Sequence, residues 1–166
     1  MRSKGNVLIM ESNENNNMIV EITDNKALEI DIERSAFEPE GFVVVTRILM
    51  KVDEAWEPSN RTVINKKEAQ FISKAMQKYG LLDGGHSAPL LIRKESSVTK
   101  PSSRVVIIPR KRQGGMGVSH LEVFFEKQET KRGSKIKVWE QKKRTFIYPE
   151  EAIPLHNTFL ACGFVS

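Results

Sequence analysis

The apolar positions of this chain follow period two for most of its length and switch to a helical period in two places. Residues 6–10 (NVLIM) form a short apolar run suited to a buried strand, and the polar NENNN at 13–17 reads as a loop. Residues 18–23 (MIVEIT) and 27–33 (ALEIDIE) follow as strands. In the second, Leu28, Ile30 and Ile32 alternate with Glu29, Asp31 and Glu33, so its outward face is acidic. Residues 41–52 (GFVVVTRILMKV) are the longest β-branched run and predict a central strand covered on both faces for part of its length. WEPSN at 56–60 predicts a turn, and 61–64 a short closing strand. Asn65 with Glu68 then fits a reciprocal helix cap. Ala69, Ile72, Met76 and Tyr79 share one helical face, and Gly80 ends the helix.

That order returns after 83 residues. Trp139 falls on Trp56, Arg144-Thr145 on Arg61-Thr62, Ile147 on Ile64, Glu151-Ala152 on Glu68-Ala69, and Gly163 on Gly80. Residues 89–92 stand where 6–9 stand, 104–110 (RVVIIPR) supply a strand, and 113–117 (QGGMG) a turn. Leu121, Val123 and Phe125 alternate in a further strand, with Ile136 and Val138 in the next, over 134–140. Ala152, Leu155, Phe159 and Cys162 repeat the inward helical positions of the first half. Pro154 lies within that helix and predicts either a separate turn at 149–153 or a kink. A unit near 80 residues with one helix covers only part of its sheet. The expected fold is therefore α+β: two β-β-β-β-α repeats (6–83 and 89–166, joined near 81–88), intertwined in one domain, with antiparallel sheets packed on two helices.

Charge separates the copies. Lys and Arg against Asp and Glu count 11 − 14 = −3 over residues 1–83 and 15 − 7 = +8 over 84–166, giving the net +5. A basic surface of this kind suits a polyanion, because neutralised phosphates release condensed counterions. With 39% apolar and 28% charged residues the composition is that of a folded globular chain. The single Cys162 allows no internal disulfide and predicts a reducing, intracellular setting: cytoplasm, nucleoid or nucleus. No apolar run approaches 18 residues and no signal-peptide pattern is present, so neither a membrane span nor secretion is expected.

On the 134–140 strand, alternation sets Lys135, Lys137 and Trp139 on one face. An indole stacks on a base while ammonium groups meet phosphates. Lys142, Lys143 and Arg144 extend that face, and Lys127, Lys131 and Arg132 flank the preceding turn. Arg110 and Arg112 border the glycine turn, which has neither the phosphate-loop nor the dinucleotide-binding spacing. Trp139 in a core or dimer interface is the plainer alternative. His86, His120 and His156 are scattered without metal-ligand spacing, and Glu150-Glu151 suit the first turn of a helix. No nucleophile–base arrangement stands out, so no enzyme, cofactor or small-molecule substrate is expected.

Lys131-Arg-Gly133, Ile136-Lys-Val-Trp-Glu140, Arg144-Thr-Phe-Ile147 and Pro149-Glu-Glu151 together resemble a repeat of the purine-rich-element-binding (PUR) family. The first half resembles it through Trp56, Arg61-Thr62, Ile64 and Glu68-Ala69, and lacks the Arg-Gly turn. The resemblance implies a PUR domain, similar in plan to Whirly and positive-cofactor-four proteins, that binds single-stranded DNA or RNA and often dimerises. Implied contacts are Lys127, Lys131, Arg132, Lys135, Lys137 and Trp139, with Arg61 and Trp56 as counterparts. Asp53-Glu54 stand where the second copy has Ile136-Lys137, which weighs against binding by the first. The expectation is a homodimeric single-stranded nucleic-acid-binding protein. The alternative is a dimeric protein-interaction module whose basic half docks an acidic partner.

Overall fold

The computed structural model describes residues 7–11, 16–83, 91–115 and 117–166, and divides into two compact units. The first unit joins Met1–Gln70 with Glu150–Ser166, and the second is Phe71–Pro149. Each contains one antiparallel sheet, so the chain is α+β.

In the first unit, β1 (Val7–Glu11), β2 (Asn16–Thr23), β3 (Lys26–Arg34), β4 (Phe42–Val52) and β5 (Ala55–Ile64) follow one another in sequence order across the sheet. Val20, Leu28, Ile30, Val44 and Ile64 share one buried face. On the opposite face Ile19, Ala27 and Leu49 form a buried apolar cluster. The central run is thus covered on both faces, as its unbroken Val43, Val44 and Val45 predict.

The predicted turn at 56–60 is instead part of β5. The chain reverses at Asp53 and Glu54, whose φ angles are 50° and 66°, the two-residue geometry that matches the twist of a hairpin. Pro58 is tolerated because β5 is an edge strand whose outer N–H groups need no partner in the sheet. A bulge follows it, and Ser59 Oγ donates to the Ile48 carbonyl at 3.0 Å.

Helix α1 (Lys66–Lys78) starts at the reciprocal cap. Glu68 N–H donates to Asn65 Oδ1, and Asn65 N–H donates to Glu68 Oε1, each at 2.9 Å. Gly80, at φ 75°, stops it. Helix α2 (Pro149–Ala161) begins and ends 83 residues later (149 − 66 = 161 − 78 = 83), and Gly163 at φ 80° stands 83 after Gly80. It runs through Pro154 without a break, so the separate turn at 149–153 is not formed. Pro154 is within the first two turns, and the only helical bond its missing N–H removes is that to the Glu150 carbonyl. Ala152, Leu155 and Phe159 are buried, and just beyond the helix Phe164 stacks on Phe42 at 5.0 Å between centroids, which ties this segment to β4.

The second unit carries the rest of α1 and Tyr79 just beyond it, and Ile72, Met76 and Tyr79 are fully buried. Tyr79 Oη donates to the Arg93 carbonyl at 3.0 Å and lies 3.2 Å from Glu95 Oε2. The Lys78 ammonium pairs with the same carboxylate. The sheet order is β6 (Glu95–Lys100), β7 (Ser103–Lys111), β8 (Val118–Thr130) and β9 (Lys137–Ile147). Residues 91 and 92 belong to no strand, and 89–90, like His86, lie outside the described residues. The first strand here is β6, which the polar ESSVTK did not advertise. One face buries Val105, Ile107, Leu121, Val123 and Ile147. The other carries the candidate site.

Candidate nucleic-acid interface

That second face is set by register. Arg104, Val106, Ile108 and Arg110 of β7 stand beside Glu126, Phe124, Glu122 and His120 of β8. On β9, Arg144 and Phe146 pair with Phe124 and Glu122, and so share the face. A bulge at Lys142 then shifts the pairing by one residue. Glu126 faces Gln141, Gln128 faces Trp139 and Thr130 faces Lys137. The extra residue reverses the alternation and brings Trp139 and Lys137 to the same side as Arg144 and Phe146.

Two clusters result. In one, the Arg104 guanidinium lies 4.5 Å from the centroid of the Trp139 ring while its Nε donates to Glu126 Oε1 at 2.6 Å. In the other, Arg110 Nη2 donates to Glu122 Oε1 at 2.6 Å, and the Arg144 guanidinium is 5.1 Å from the Phe146 ring. His120 stacks on Tyr148 at 4.8 Å and meets Phe146 edge-on at 5.8 Å, with its Nδ1 3.0 Å from Ser119 Oγ. Burial pushes the pKa of His120 below its usual value, which disfavours the charged ring in this aromatic group. Trp139, Phe124, Phe146, His120 and Tyr148 are all half-buried: their edges are held and part of each surface is open.

Of the predicted residues, Lys137, Trp139, Arg144 and Arg110 are brought together on this face. Lys135 is not on the strand. β9 begins at Lys137, and Lys131, Arg132 and Lys135 sit in the six-residue connection, where Gly133 has φ 77° and Ile136 N–H donates to Ser134 Oγ at 3.1 Å. These exposed cations rim the Trp139 end of the sheet. Arg112 occupies the 112–117 turn, its N–H donating to the Gly117 carbonyl at 3.1 Å. Lys143 pairs with Phe125 and Lys127 with Glu140, so both belong to the opposite face. Lys142 is the bulge residue and is bound by Glu129 and Glu140. Simple alternation misplaced Lys143 because it cannot foresee a bulge, and Lys127, expected beside the turn, lies within β8. Sequence reading also missed Arg104, Phe124, His120, Phe146 and Tyr148. The matched parity of Arg104 and Arg110 within RVVIIPR was the available signal.

The counterparts in the first sheet stand among acids. Arg61 Nη2 is 2.5 Å from Glu33 Oε1, and Arg47 lies 3.7 Å from Glu33 and 3.9 Å from Glu29. Trp56 has Lys51 Nζ 5.8 Å from its ring centroid. Asp31, next in that acidic row, has its Oδ1 without a hydrogen-bond partner, and burial raises its pKa. On α2, Glu151 is 2% exposed with Oε1 unpartnered, and burial pushes its carboxyl up to about 8 against the opposing pull of Lys26. A first-turn acid was expected there, though not a buried one.

Among the described residues no cluster of three or more His, Cys, Asp or Glu is arranged to hold a metal ion, and no helix is long and apolar enough to cross a membrane. In comparisons with known proteins, no family model and no curated protein matches this chain.

Proposed function

We propose that the protein binds single-stranded nucleic acid, DNA or RNA, on the open face of the β6–β9 sheet, without catalysing a reaction. The observation that carries this reading is the Arg104–Trp139 stack with Arg144–Phe146 farther along the same face. Planar cations and aromatic rings on one surface offer stacking platforms to unpaired bases, whose faces are inaccessible within a duplex. Arg104 and Arg110 are held by Glu126 and Glu122 and serve orientation and stacking. The exposed Lys131, Arg132, Lys135 and Lys137 supply the phosphate contacts.

The composition of the two units supports an intertwined duplication as part of the same proposal. Each sheet is grouped with a helix segment from the other half, as expected if the repeats exchange helices. The 83-residue spacing of α1 and α2, and of their glycine stops, supports a common origin for the halves. The acids around Arg47 and Arg61 make the first sheet the weaker nucleic-acid surface. A homodimer belongs to the proposal as well, with light scattering as its check.

The test is a binding panel: one sequence as single-stranded DNA, single-stranded RNA and duplex DNA, each at about 50 and 200 mM salt. Binding to a single strand that exceeds duplex binding and weakens steeply with salt supports the reading. Equal affinity for duplex, or no binding at low salt, overturns it.

A further inference from the structure

The face holds its platforms at two separate stations: in the first the β7 arginine lies over an aromatic ring, and in the second Arg144 of β9 lies over Phe146. Each combines an arginine from β7, a glutamate from β8 that fixes it, and aromatic surface contributed by β9 or the residue just beyond. The first is Arg104, Glu126 and Trp139. The second is Arg110, Glu122 and the Phe146–Tyr148 pair that brackets His120. Arg104 and Arg110 are six residues apart on one strand, which at about 3.3 Å per residue sets the stations roughly 20 Å apart. Between them on β7 and β8 stand Val106, Ile108 and Phe124, and Arg144 of β9 lies beside Phe124.

We infer that the two stations hold non-adjacent bases of one strand, so that the ligand is a single-stranded segment with a minimum length and not a mononucleotide or dinucleotide. This rests on the nucleic-acid reading of the face. At the stacked spacing of about 3.4 Å per nucleotide, a span of roughly 20 Å takes about six nucleotides, and a more stretched strand takes fewer. Occupying both stations makes the second contact intramolecular, which raises affinity without any new type of interaction. The carboxylates matter because they hold each guanidinium in one orientation, so little side-chain freedom is lost when a base stacks on it.

The experiment is fluorescence anisotropy with labelled random-sequence single-stranded DNA of 2, 3, 4, 6, 8 and 12 nucleotides at low salt. It compares the wild-type protein with Trp139→Leu, Phe146→Leu and the milder Arg104→Lys. Circular dichroism verifies that each variant retains its fold, and Arg104→Lys keeps the first station testable if Trp139→Leu does not. Affinity is expected to climb steeply up to about six nucleotides and then level off. Loss of one station costs about tenfold on the 12-mer and little on the trimer, which the remaining station still holds. If trimers bind as tightly as 12-mers, or a single-station variant loses the same factor at every length, the two-station inference is overturned while the nucleic-acid reading stands. If no length binds, both fall.

Discussion

The guanidinium of Arg104 lies over the ring of Trp139, although the two residues stand on strands separated by β8. Glu126, on the strand between them, accepts from Arg104 Nε at 2.6 Å and sets the plane of the stack. Lysine keeps the charge and loses both the fork and the flat surface. Arg104→Lys should therefore weaken single-strand binding about fivefold to tenfold. The slope of log affinity against log salt should stay the same, because no phosphate contact is lost.

The cations in the 131–136 connection should behave in the opposite way. Lys131→Ala and Arg132→Ala are each expected to lower affinity modestly on all sequences and to reduce the salt slope by about one. Titrations at several salt concentrations separate the two classes of variant.

On the first sheet, Arg61 is paired to Glu33, and acids line the same face. Arg61→Ala and Trp56→Phe should leave affinity within about twofold of wild type, in contrast with the second-sheet variants. A loss as large as that of Arg104→Lys would mean that both sheets bind.

Glu151 gives the fold a pH dependence. Its carboxyl is held near 8 in the folded chain and returns to the ordinary carboxylate range on unfolding, so the folded state binds the extra proton. Stability should fall as pH rises from the carboxylate range through about 8 and then level. Lys26 and Glu150 are the charged neighbours, and neither reverses the sign. Glu151→Gln should lose this dependence, and its melting temperature should gain on wild type by about 5 °C or more between pH 6 and 9.

The Asn65 cap is a purely structural test. Asn65→Ala removes the acceptor for Glu68 N–H and should cost about 1 kcal/mol, a melting shift of about 2–4 °C, with binding unchanged.

The helices, their caps and stops, and most strand cores were legible because they follow local periods. Ala69, Ile72, Met76 and Tyr79 could be read from spacing alone, as could their equivalents Ala152, Leu155 and Phe159. The turn at Asp53-Glu54 was hidden by the stronger turn chemistry of Pro58 and Asn60, which an edge strand can absorb. Half the candidate face was hidden for a different reason. Its composition depends on one bulge at Lys142, a property of pairing between strands that shows in no single segment. Strict alternation put Lys143 with Trp139 and left Phe146 unconsidered, whereas the register does the reverse.

The chain has two tryptophans, so replacing Trp56 by Phe leaves Trp139 as the sole indole reporter. Titrating Trp56→Phe protein with a 12-nucleotide single strand, and following the fluorescence of Trp139, tests the central claim most directly. Saturable quenching is expected, with the same midpoint as binding measured by anisotropy. An unchanged Trp139 signal under saturating binding, with quenching of Trp56 in the reciprocal Trp139→Phe protein, would contradict it.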